Sequence, residues 1–147
     1  MIRTNSENPD FKALTDKLDD ELCFLYNTKK EDYEEYNRIT NLPTVIIAYA
    51  NDIAIGCGCF KIYDQKTIEL KRMFVDPAFR GKGIASAMVK ELEVWAKELG
   101  FEEAVLETGN KQPEAIQMYK RLGYSIAEKP DQVQEIGHSV FMKKRLF

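Results

Sequence analysis

Apolar and polar positions follow two different periods along this chain, and each change of period marks an element. Residues 10–27 carry Phe11, Leu14, Leu18, Leu22 and Leu25 at near-helical spacing, which predicts an amphipathic helix started by Pro9 or Asp10. A second, short helix is expected over Glu31–Asn37, broken by Asn41-Leu42-Pro43. Thr44–Ala50 is a continuous apolar strand, Asn51-Asp52 is a turn signal, and Ile53–Tyr63 is the next strand, so the pair reads as a hairpin. Asp64-Gln65-Lys66 turns the chain into a third strand, Thr67–Val75. The longest helix is expected over Gly83–Leu99, with Ile84, Met88, Leu92, Trp95 and Leu99 on one face and Gly100 as its stop. Glu102–Glu107 reads as a strand, Gln112–Leu122 as a helix ended by Gly123, and Tyr124–Ala127 as a strand. Pro130-Asp131 then lies in a loop before a last strand near Glu135–Lys143. This order is not a regular βαβ alternation; it predicts a mixed sheet with helices on both faces.

Composition narrows the class without naming a chemistry. A chain of 147 residues with no repeat, low-complexity stretch or linker is expected to form a single domain, 1–147. Its net charge of −3 argues against a nucleic-acid surface. The longest apolar run, Val45–Ala50, is far too short to span a bilayer. No cationic segment followed by an apolar stretch opens the chain, so the expected location is the cytoplasm. Cys23, Cys57 and Cys59 are an odd set for a disulfide framework. With His138 they make up a Cys₃His count, but Cys57-Gly58-Cys59 sits in a strand pattern, where two thiols share a face without a metal-binding knuckle. No metal is expected. His138 itself falls in another strand pattern, Gly137–Met142, where packing or exposure is the commoner role.

The most chemically informative stretch is Val75-Asp76-Pro77-Ala78-Phe79-Arg80-Gly81-Lys82-Gly83-Ile84-Ala85. A strand ends, a short loop carries two cations and two glycines, and a long helix begins. A helix start presents unpaired N–H groups and partial positive charge, which suits an anion. Gly81 and Gly83 let the backbone approach oxygen atoms closely, Arg80 offers a planar donor fork and Lys82 a point charge. Ala85 and Ser86 keep the first turn uncrowded. A Walker loop fails here because glycine follows Lys82, and a dinucleotide fingerprint fails because Ser86 holds its third glycine position. A plain glycine-rich turn into a helix remains the other reading of these residues alone.

Arg80-x-x-Gly83-x-Ala85 resembles the R/Q-x-x-G-x-G/A signature of the GNAT acyl-CoA N-acyltransferases. The flanks resemble that family in order: Glu69–Pro77 its fourth strand, Glu107-Thr108-Gly109-Asn110 its fifth, and Ala115–Tyr124 the helix that follows. The likeness covers roughly residues 44–127, and Ala85 replaces the final glycine of the signature. The resemblance implies an α+β fold with a mixed, mostly antiparallel central sheet and helices on both faces, including a short first strand near Ile2–Asn5. It implies acetyl-CoA as acyl donor, bound where strands four and five splay apart. Backbone groups of Met73, Phe74 and Val75 would pair with the pantetheine amides, as an added strand pairs with a sheet edge. The Phe74 N–H would face the thioester oxygen. Arg80, Gly81, Lys82, Gly83, Ile84, Ala85 and Ser86 would hold the diphosphate. Lys71, Arg72 and Lys111 are further cations, equally readable as solvated charges.

The same resemblance makes Tyr119 the acid that protonates the departing thiolate, against the plainer reading of a tyrosine packed on its helix's buried face. It makes Glu69 a candidate base, against a surface glutamate, with Asp20, Glu21 and Glu107 open as alternatives. Asn110 would bond pantetheine, cap the next helix, or both. The expected acceptor is a small amine or amino acid; a protein lysine or N-terminal amine, or a CoA sensor without turnover, are the rivals. The family's acceptor regions hold Asp16, Asp19, Asp20, Glu21, Glu31, Asp32, Glu34, Glu35, Glu128, Asp131 and Glu135 here, an acidic mouth or a solvated face. Phe24, Tyr26, Tyr33 and Tyr36 would shape a pocket or fill a core. A homodimer is compatible with family habit.

Overall fold

The computed structural model describes residues 1–27, 42–128 and 139–147. The expected helix over Glu31–Asn37, the Pro130-Asp131 loop and His138 lie outside them. The first strand, β1 (Ile2–Thr4), leads into helix α1 (Pro9–Tyr26). Asn8 caps α1 by accepting the Asp10 N–H at 2.9 Å, and Pro9 takes the first position, where a missing N–H costs nothing. Phe11, Leu14 and Leu18 are buried, as their spacing predicts.

Strands β2 (Val45–Ala50), β3 (Ile53–Ile62) and β4 (Thr67–Val75) follow as antiparallel neighbours. A single 3₁₀ turn, Pro77–Phe79, precedes α2 (Ile84–Glu98). Then come β5 (Glu103–Gly109), α3 (Pro113–Arg121), β6 (Ser125–Ile126) and β7 (Ser139–Arg145). The sheet order is β1-β2-β3-β4-β5-β7-β6, antiparallel except for the parallel pair β4–β5. The last strand therefore inserts between β5 and β6, a placement that local patterning does not encode.

Two cores flank the sheet. On one face Phe11, Leu14 and Leu18 of α1 pack against Val45, Ile47, Cys57, Cys59 and Phe74. On the other, Met88, Val89, Leu92 and Ala96 of α2 and Tyr119 of α3 pack against Ile46, Phe60, Ile68, Leu70 and Leu106. Cys57 and Cys59 do share a face, and both thiols are buried. Burial pushes Cys57 up to about 12 and raises Cys59 as well, so these are inert core sulfurs. Among the described residues no cluster of metal-ligating side chains occurs, and no helix is long and apolar enough to cross a membrane.

Helix α2 departs from its predicted face at one end. Leu99 is 55% exposed beyond the last turn, while Glu93 is buried. Glu93 is tolerated there because Tyr124 Oη donates to it at 2.8 Å and Lys144 Nζ at 3.0 Å, so the buried carboxylate is both hydrogen-bonded and charge-paired.

The feature that matters most for function is an irregularity in β4. Its pairing with β3 slips between Cys57↔Phe74 and Cys59↔Lys71, so Gly58 faces two residues, Arg72 and Met73. Arg72 takes φ +58°, a conformation that costs a non-glycine residue about 1–2 kcal/mol. The bulge bends the strand. Pairing of β4 with β5 runs from Thr67↔Glu103 to Leu70↔Leu106 and stops immediately before it. Beyond that point β4 keeps only β3 and β5 keeps only β7, so the two central strands part.

Candidate active site

The parting strands form the walls of a cleft of about 880 Å³. Its two sides differ because side chains alternate along β4. Leu70, Met73 and Val75 face α2 and α3, whereas Glu69, Lys71 and Phe74 face α1. The bulge puts Arg72 on the α1 face too, where its Nη2 donates to the Thr15 carbonyl at 3.1 Å and lies 2.8 Å from Asp19 Oδ1. Arg72 thus fastens the bulge to α1 and is a structural cation.

At the α2 end the wall is backbone. Gly81 and Gly83 have φ of +80° and +81°, and the space where a Cβ would sit is open at both. Gly83 is the N-cap of α2 and supplies no side-chain cap. Among the described residues the first turn of the helix therefore has no side-chain cap, and it borders a cleft lined by Gly81, Gly83, Ile84, Ala85 and Ser86. Arg80 also lines the cleft, but it is engaged: Nε donates to the Val75 carbonyl and Nη2 to Glu21 Oε1, each at 2.7 Å. Lys82 is not a lining residue; its Nζ lies 5.5 Å from the Phe79 ring centroid.

Along the open edge of β4 the same alternation sorts the backbone. Asp76 N–H donates to Ile55 of β3, while the Val75 carbonyl points away from β3 to Arg80. Phe74 therefore directs its amide toward β3, and Met73 and Val75 present theirs to the cleft. The expected oxyanion donor, the Phe74 N–H, faces the wrong way, and the Phe74 ring packs in the α1-side core.

Tyr119 is 5% exposed, lines the cleft and packs edge-to-face on Tyr124, with ring centroids 5.6 Å apart. It belongs to the core and to the cleft at once. Burial pushes its hydroxyl above the ordinary phenol range, so it is protonated at neutral pH. Glu69 lines the cleft and has Lys61 at 3.8 Å; Glu107 lines it from β5 on the same α1-facing side. Burial lowers the Lys71 ammonium below the usual lysine range, against the pull of Glu69. Of the other acids, Glu21 is held by Arg80, and Asp20 is not a lining residue.

Asn110 does not line the cleft either. The N-cap of α3 is Gln112, whose side chain accepts the Gly109 N–H at 3.1 Å, so Asn110 is a turn residue. Phe24 is 89% exposed at the rim, and Tyr26 reaches across to Lys111, just past the end of β5.

A cleft opened by a bulge between two parallel strands, next to an uncapped helix start, is matched by the comparisons with known proteins. The profile of the acetyltransferase (GNAT) family matches residues 11–124. The chain belongs to the GNAT family. Among GNAT relatives, IAA acetyltransferase of Azospirillum brasilense is 30% identical over 99 residues, 62% of this chain and 65% of that protein. The uncharacterized N-acetyltransferase YsnE of Bacillus subtilis is 31% identical over 102 residues, 67% of each chain. The matched region spans only 34% of the relative from Methanocaldococcus jannaschii, which is 35% identical to this chain over 77 residues. Among solved structures, a candidate acyl-CoA N-acyltransferase of Klebsiella pneumoniae superposes with a TM-score of 0.80 at 26% identity, covering 99% of this chain and 96% of that one. A GNAT acetyltransferase of Elizabethkingia anophelis, solved with acetyl-CoA bound, gives a TM-score of 0.63 at 22% identity over 80% of this chain and 83% of its own. That likeness is one of fold.

Proposed function

We propose that this GNAT protein transfers an acetyl group from acetyl-CoA to a primary amine, a small amine or an amino acid, by direct attack on the thioester. The observation that carries this reading is the shared cleft: uncapped N–H groups and glycines at the α2 start, open β4 edge amides and the buried Tyr119 all line one space. The residues fit acetyl-CoA part by part. The turn from Gly81 to Ser86 would hold the diphosphate, as helix starts hold anions. Met73 and Val75 would pair with the pantetheine amides, and one of their N–H groups would stabilise the oxyanion.

Chemistry follows from the same layout. An amine with a lysine-like pKa must lose a proton before it attacks, at about 4–5 kcal/mol at neutral pH. Glu69, on the α1-facing side of the cleft, takes that proton directly or through water. The amine nitrogen attacks the thioester carbon, the C–N bond forms, the C–S bond breaks, and its electron pair goes to sulfur. Tyr119 protonates the thiolate. Burial makes the phenol a weaker acid, and a short charge-assisted hydrogen bond from its hydroxyl to the departing thiolate offsets that.

Thiol release measured across a panel of amines, with acetyl-CoA binding followed by calorimetry, tests the reading. Tyr119→Phe should lower kcat about a hundredfold and leave acetyl-CoA affinity unchanged, and Glu69→Gln should lower kcat most at low pH, where free amine is scarce. An acetyl-CoA that does not bind removes the proposal. Binding without turnover of any amine leaves a CoA sensor, and an unaltered kcat in Tyr119→Phe removes that residue's acid role.

A further inference from the structure

Tyr26 is the last residue of α1, and it bridges to the far side of the cleft. Its hydroxyl accepts the Lys111 N–H at 3.1 Å, and Lys111 Nζ lies 5.6 Å from its ring centroid. Directly beneath the hydroxyl is Gly109, the end of β5, where any Cβ would collide with Tyr26 Oη. The position is closed to side chains, so ring and glycine form one fitted contact. Gly109 pairs with Ser139 and lies on the same sheet face as Glu107. The ring therefore closes the α1-facing side of the splay, opposite the α2 start.

The surroundings define what that end would accept. Leu22, Leu25 and Tyr26 supply an apolar and aromatic wall from α1, and Phe24 extends it at the rim. The sheet floor beneath carries two carboxylates, Glu69 and Glu107, and one ammonium, Lys71. Glu69 already has Lys61 at 3.8 Å, and Lys71 and Lys111 stand at the same end, so a polycation would meet ammonium groups there. The rest of the acceptor would lie along carbon, not charge.

We propose that Tyr26 is the specificity-determining residue of the acceptor end, and that the acceptor is a primary amine on an aromatic or apolar body. This rests on the acetyltransferase reading of the cleft and narrows it. Its physical basis is that a hydrophobic wall rewards apolar surface and pays nothing to a hydrated polyamine.

The test compares acetyl transfer to phenethylamine, hexylamine, glycine and spermidine. Phenethylamine and hexylamine should exceed spermidine and glycine in kcat/KM by about ten- to hundredfold. Tyr26→Ala should erase most of that preference through the acceptor KM, with acetyl-CoA affinity unchanged, while Tyr26→Phe keeps the ring and the preference. Gly109→Ala should act like Tyr26→Ala by displacing the ring, and adding it to Tyr26→Ala should cost nothing further, the non-additivity expected of two groups in contact. Should Tyr26→Ala fail to fold, Tyr26→Leu reports the same loss of the aromatic fit. Equal acceptor ratios in wild type and variants, or spermidine as the best acceptor, would overturn the proposal while leaving acetyl transfer intact. Absence of acetyl-CoA binding or of all transfer would instead bring down the underlying reading, and this inference with it.

Discussion

At the α2 end of the cleft the wall is largely backbone: two glycines with positive φ, an N-cap without a side-chain bond, and small Ala85 and Ser86 in the first helical turn. At the α1 end it is side chains brought from distant parts of the chain: Tyr26 and Leu25 from a helix end, Glu69 from β4 and Glu107 from β5. Backbone N–H groups recognise an anion by geometry and hardly depend on which side chains surround them. Side-chain walls recognise shape, and change with each substitution. In the proposed reaction the donor site is thus set by backbone and the acceptor site by side chains. The β4 bulge separates the two ends, so it is the first place to break the contrast. Arg72→Ala removes the guanidinium that fixes the bulge to Thr15 and Asp19 and leaves a half-buried carboxylate without its cation. It should cost about 3 kcal/mol of stability, read as a lower urea midpoint, and weaken donor and acceptor binding together.

The ends should separate under the next change. Gly83→Val forces a β-branched residue into φ +81°. The strain, about 2 kcal/mol, should shift the loop and weaken acetyl-CoA binding roughly thirtyfold by calorimetry. The acceptor KM should not move. If both fall together, the two ends are not independent and the contrast fails.

How much of this was readable in the chain follows the same division. The α2 end is local: Arg80-Gly81-Lys82-Gly83 and the helix after it are contiguous, and the loop lies where the spacing puts it. Strand Thr67–Val75 matches its predicted limits, and the other described elements fall within a few residues of theirs. The bulge left no such trace, because nothing in Lys71-Arg72-Met73 announces a positive φ; its partner Gly58 lies on another strand. The direction of the Phe74 amide depends on strand register, set by pairing with β3, which the local pattern does not carry. Tyr26 and Gly109 are far apart in sequence, so their fit exists only after folding. Glu93 reads as a polar residue of a helix, and its burial depends on Lys144 and Tyr124 arriving from elsewhere.

Between the ends lies the Tyr119–Tyr124 pair, and pH probes it without mutation. Both hydroxyls are raised above the phenol range, Tyr119 by burial and Tyr124 by burial together with the Glu93 charge. Above the unfolded-state pKa near 10 the unfolded chain releases these protons and the folded protein keeps them. Stability should therefore fall as pH rises beyond that point, by about 1.4 kcal/mol per pH unit for each tyrosine. Below it the two contribute no slope. Ultraviolet titration of phenolate should find Tyr119 and Tyr124 still protonated until the fold gives way. Early ionisation of Tyr119 would mean that the cleft floor is wetter than its burial indicates.

The smallest expected effect is the most discriminating. Lys82 sits in the signature loop, and charge alone would make it a principal diphosphate contact. It stands outside the cleft lining, over the Phe79 ring, on an exposed turn. An ammonium there acts through solvent and salt, at about 0.5 kcal/mol or two- to threefold in affinity. Lys82→Ala should thus weaken acetyl-CoA binding by that modest factor at low ionic strength and by almost nothing at a few hundred millimolar salt. Gly83→Val, acting through backbone shape, should keep its full effect at both. A tenfold loss in Lys82→Ala that persists in salt would make the donor end a side-chain site like the acceptor end, and the distinction between the two would no longer hold.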